Sequence, residues 1–144
     1  MPTFQNDSFI GRSDLQCFET RSFPVETAGT DTFVAGDWAE VNADGNKVKK
    51  NGDAVPALAY LVVRGTAQPD TEISGPSVLI GPPGFVFDTT RFDAHGTYTV
   101  GKDLTVKNGV LTDAAEGEKV YAVCVIPPAK SPIAANEWIR AQTK

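Results

Sequence analysis

Apolar and polar residues alternate over short stretches of this chain, and the stretches stop at glycine, proline or an Asp-Gly or Asn-Gly pair. That rhythm predicts short β-strands joined by turns. From residue 31, TFVAGDWAEV reads as a strand, a Gly36-Asp37 corner, and a second strand carrying Trp38 and Val41. Asp44-Gly45 follows, a pair suited to the positive φ of a tight hairpin, with Lys47–Lys50 as the return strand. Residues 57–65, ALAYLVVRG, are the most apolar stretch, and their continuity predicts a strand buried on both faces. After a polar loop over 66–77, VLI (78–80) is a strand stopped by GPPG at 81–84. FVFDTT (85–90) alternates, so Phe85 and Phe87 share a face. A second hairpin places Asn108-Gly109 between Asp103–Val106 and Val110–Asp113, and KVYAVCVI (119–126) is a final apolar strand.

One pattern occurs twice. Gly36-Asp37-Trp38 through Lys50, then the 57–65 strand, has the same outline as Gly101-Lys102-Asp103 through Asp113, then the 119–126 strand. The two copies predict similar three-stranded units within an all-β fold, a small β-barrel or sandwich of short antiparallel strands. The ends read differently. Residues 1–30 hold Phe4, Phe9, Phe18 and Phe23, four of the eight phenylalanines, at spacings that fit neither helix nor strand. They are expected to form an extended N-terminal arm, and burying each ring is worth about 1.5–3 kcal/mol. Such an arm either folds back across the barrel or lies on a partner. A β-barrel domain then covers 31–128. The tail 129–144 has room for a helical turn or two around Trp138 and Ile139, too short to be stable alone.

Composition narrows the function classes. At 144 residues, 41% hydrophobic and 22% charged, the chain is expected to be one folded domain. A net charge of −5 gives no basic footprint for nucleic acid, and Lys47, Lys49 and Lys50 read as a solvated strand face. No apolar run approaches the length of a membrane helix, and the polar N-terminus lacks a secretory core. Cys17 and Cys124 stand too far apart in sequence to suggest a disulfide framework, so synthesis in a reducing cytoplasm is expected. The single histidine, His95, precedes a glycine in a turn, no serine sits in a nucleophile elbow, and no metal-ligand spacing occurs. No catalytic residue, metal or cofactor is assigned, and the chain is read as a non-enzyme. Asp88 and Asp93 straddle Arg91 and are expected to form weak surface ion pairs with it.

The stretch FDTTRFDAHGTYTVGKDLTVKNGVLTDA (87–114) resembles the barrel domain of tailed-bacteriophage capsid decoration, or head cement, proteins. The similarity lies in the acid- and aromatic-containing FDTTRFD, in Tyr98, Gly101, Leu104 and Val106 leading into a strand, and in Val110-Leu111-Thr112 after a glycine turn. It covers about a fifth of the chain, with a weaker echo over 36–64. The resemblance implies a structural virion protein on the capsid exterior, a homotrimer whose arms bridge subunits of the major capsid protein. Phe4, Phe9, Ile10, Phe18 and Phe23 would then be the capsid contacts, and deleting residues 1–20 would abolish binding while leaving a folded core. The alternative is a carbohydrate- or receptor-binding β module in which Trp38, Tyr98 or Trp138 stacks on sugar rings.

Overall fold

The computed structural model describes residues 8–27, 31–65, 75–129, 133 and 137–144. These form β1 (Phe9–Gly11), a single 3₁₀ turn (Leu15–Cys17), β2 (Glu19–Ser22), β3 (Trp38–Val41), β4 (Val48–Lys49) and β5 (Ala59–Arg64). The chain continues through β6 (Ser77–Gly81), β7 (Val86–Thr89), β8 (Asp103–Lys107), β9 (Val110–Asp113), β10 (Ala122–Ile126) and β11 (Ile139–Thr143). No described helix is long and apolar enough to cross a membrane. The fold is all-β: two antiparallel sheets, ordered β1-β7-β11-β10-β8-β9 and β2-β6-β5-β3-β4. Of the barrel and the sandwich, the chain forms the sandwich. The two hairpins touch through only a few bonds, Trp38 N–H to Gly109 O at 2.8 Å and Asn108 N–H to Gly52 O at 2.7 Å, and no continuous ladder joins the sheets.

The first hairpin is looser than a two-residue turn: β3 and β4 are joined by residues 42–47, where Gly45 alone holds a positive φ, of 74°, and the return strand is only Val48–Lys49. The second is tight. Asn108 and Gly109 hold φ of 55° and 76°, the left-handed pair that matches strand twist in a two-residue connection. β8 and β9 then pair from Leu104↔Asp113 to Lys107↔Val110. The two copies seen in the sequence take the same topology: β5-β3-β4 ends one sheet and β10-β8-β9 ends the other. Residues 31–37, expected to include a strand, run without one, because Asp37 closes a local turn by accepting the Val34 N–H and donating its own to Val34 O.

The chain ends differ most from expectation. Residues 8–27 take the first of the two arrangements expected of the arm, folding back onto the domain, but as strands of the sandwich: β1 pairs with β7 at Phe9↔Thr89, and β2 pairs with β6 from Glu19↔Gly81 to Ser22↔Ser77. The reason is burial, since Phe9 packs on Phe85 and Phe87, and Phe18 meets Phe85 edge-on at 5.2 Å. The tail forms no helical turn among the described residues. Ile139, Ala141 and Thr143 alternate inward on β11, which lies between β7 and β10 in the interior of its sheet. Strand pairing therefore runs through the boundaries expected at 30/31 and 128/129.

The main core lies between the sheets, around Leu61, Phe85, Phe87, Leu104, Leu111 and Ile139. A second cluster forms on the outer face of the five-stranded sheet, where Phe23, Val25 and Phe33 cover Val48, Val62 and Val78. β5 is thus buried on both faces, with Leu61 inward and Val62 outward.

Candidate functional site

Most aromatic candidates are occupied inside the fold. Trp38 is 3% exposed and meets Tyr121 edge-on at 5.6 Å, and Tyr98 is 8% exposed and donates to the Asp93 carbonyl at 2.5 Å. Neither offers a face to a sugar, and Trp138 is half-buried. Phe9 and Phe23 are core residues, so neither is available to a capsid; Phe23 stacks on Tyr60 beneath the Arg21 guanidinium. Ile10 and Phe18 are half-buried, and Phe4 lies outside the described residues. The five capsid-contact candidates are not brought together as an exposed patch.

The same segment nevertheless builds one flank of the sandwich. β1 is the outer strand of the six-stranded sheet and β2 the outer strand of the five-stranded sheet, and the 3₁₀ turn crosses between them. This unit lies against β6 and β7, themselves joined by the Gly81–Gly84 corner; Arg12 and Ser13 donate backbone N–H groups to Val86 O, and Ser13 Oγ accepts the Val86 N–H. All four β2 side chains and Leu15 are exposed. Among the described residues no strand pairs with the outer side of β2. Val100, 75% exposed, is the most exposed large apolar side chain described, at the turn leading into β8.

A buried ion cluster fixes this flank. Asp88 on β7 is fully buried and accepts from Arg12 Nε at 2.8 Å and Arg140 Nε at 2.7 Å, with Arg140 Nη2 at 3.2 Å. The hydrogen bond to Asp88 raises the Arg140 pKa above its ordinary value. The expected surface pairing of Arg91 with Asp88 and Asp93 does not form. Arg91 bonds Asp37 at 2.8 Å, a buried carboxylate that also lies 3.8 Å from Lys50. Asp93 instead closes the turn at His95 by accepting its backbone N–H. The one signal for the Asp88 cluster was an aspartate inside an apolar strand, a position that carboxylates rarely hold unpaired.

A second feature lies beside the N-terminal half of β5. An apolar cleft of about 190 Å³ sits where β5 and β6 part, with Trp38, Leu61 and Leu79 deep in it. Tyr121 donates to Pro56 O at 2.6 Å; burial, then the negative charge of Glu40, pushes its pKa up to about 12 against a backbone hydrogen bond from Ala59. Lys119 and Lys144 stand at the edge, the first donating to Ala57 O at 2.7 Å and the second 3.3 Å from Asp103. Among the described residues no three His, Cys, Asp or Glu side chains are grouped to hold a metal ion. No family model, curated protein or solved structure matches the chain.

Proposed function

We propose that this protein is a structural component of a tailed-phage virion, one that binds the outside of the assembled head and bridges neighbouring capsomers. The observation that supports this reading is the β1–β2 flank. It presents exposed Leu15 and the four exposed side chains of β2 beside backbone groups free of any described strand partner. Such an edge can add a strand from a partner, here the major capsid protein, with main-chain bonds for affinity and side chains for register. The flank is also held mechanically, because Asp88 ties Arg12 and Arg140, near the two ends of the described chain, to one strand. A ligand of the assembled lattice stabilises it by mass action, and a homotrimer at three-fold positions would convert one weak contact into three linked ones.

The contact assigned here differs from the deletable arm expected from the sequence. Removing residues 1–20 takes away Phe9 and half of β2, so it would damage the core as well as the contact. The test uses Leu15→Asp and Arg21→Glu in co-sedimentation with expanded heads of the phage that encodes the protein. Head affinity at least about tenfold weaker, with melting temperature within about 3 °C of the parent, is expected. Affinity equal to the parent in both variants would remove this flank from the contact.

A further inference from the structure

The cleft beside β5 arises from a local failure of pairing. β5 and β6 are in register only at Val62↔Val78 and Arg64↔Ser77, while Ala59, Tyr60 and Leu61 have partners on β3 alone. Val62 exchanges both its backbone bonds with the β3 side, through Asp37 O and the Gly36 N–H, so by strand alternation Leu61 and Ala59 direct theirs toward β6. Past Val78, β6 runs on to Gly81 with register partners on β2 alone, so the two strands part, and Pro82 and Pro83, without N–H groups, follow directly. Tyr121 fills part of the gap with its ring, and the remainder is the cleft.

Its size and charge select a class of ligand. An apolar cavity of about 150 Å³ admits benzene, so a cleft of about 190 Å³ takes one aromatic ring with a short tail. Trp38, Leu61, Leu79 and Tyr121 supply apolar walls. No lining side chain is a carboxylate; Lys119 and Lys144 are at the mouth, the latter 3.3 Å from Asp103. Each ammonium has three donors, and Lys119 spends one on Ala57 O and Lys144 one on Asp103. We infer that this cleft is a binding site for a small apolar carboxylate, its ring between Leu61, Leu79 and Tyr121 and its anionic end at Lys119 and Lys144. The site stands independently of any capsid role.

The test titrates the full chain carrying Trp138→Phe, which leaves Trp38 as the only tryptophan, with 3-phenylpropionate and with its neutral amide. The acid is expected to change Trp38 emission saturably in the micromolar-to-millimolar range, with the amide about fivefold weaker, the scale of one exposed charge contact. Lys119→Glu with Lys144→Glu should weaken the acid by at least that factor and leave the amide unchanged. Leu79→Trp, read by calorimetry, should abolish binding of both by filling the cleft. The surface lysine pair keeps the test decisive if Leu79→Trp does not fold. No saturable signal below about 10 mM, equal affinity for acid and amide, or acid binding indifferent to the lysine substitutions would overturn the assignment.

Discussion

Asp88→Asn is the most informative single change to the fold. The substitution keeps the shape of the side chain and removes the charge from a fully buried group that binds two arginines. A hydrogen bond to a charged group contributes about 1.5–3 kcal/mol, and breaking a buried ion pair costs about 3–5 kcal/mol. The Arg12 and Arg140 side chains are 38% and 28% exposed, so water recovers part of that loss once they are released. The amide oxygen can still accept from one guanidinium, but its NH₂ meets the other donor to donor. The expected loss is therefore about 3 kcal/mol, or roughly 6–12 °C in melting temperature for a chain of this length. Urea unfolding followed by tryptophan fluorescence measures it. The loss should persist in 1 M NaCl because the carboxylate is shielded from salt. Arg140→Gln should cost much less in the Asp88→Asn background than in the parent, the mark of a coupled group. A loss below about 1 kcal/mol, or one that vanishes in high salt, would refute the reasoning.

Further tests address other parts of the structure. Gly75→Ala should destabilise by about 3 kcal/mol or more, because its Cβ would stand 1.5 Å from the Phe23 carbonyl oxygen. Gly52→Ala, with nothing within 4 Å, should stay within about 0.5 kcal/mol of the parent in the same urea assay. A thiol reagent should modify exposed Cys17 quickly and buried Cys124, whose pKa burial raises, only on unfolding, so two fast thiols would contradict the fold. Tyr121 has its folded pKa raised to about 12, so its contribution is complete below the ordinary value near 10 and is lost as pH rises from there toward 12. Stability of the parent should accordingly fall over that range, and Tyr121→Phe should show a shallower decline.

What the sequence made legible was whatever a few neighbouring residues decide. Asn108-Gly109 announces its hairpin because positive φ is a property of the turn itself, Gly45 marks a turn in the longer 42–47 loop for the same reason, and β5 announces its two buried faces through an unbroken apolar run. β1 and β11 were missed because their partners are remote. Phe9 pairs with Thr89, and Ile139 with the same residue from the other side, so only the folded sheet reveals FIG and IRAQT as strands. The same distance hid Arg12 and Arg140 from Asp88, whereas the adjacent Arg91 drew attention and then paired with Asp37. Trp38 and Tyr98 drew attention as sugar-stacking residues, yet burial decides which aromatics face water, and composition carries no record of burial. The cleft was equally unreadable, since it follows from two strands parting at Tyr60 and Ile80.

The proposed role, stabilisation of an assembled head from outside, is tested by co-sedimentation with emptied, expanded heads of the phage proposed to encode the protein. Saturable binding at the stoichiometry of the lattice three-folds is expected, together with greater resistance of the decorated heads to heat. Absence of binding at concentrations well above micromolar would contradict it.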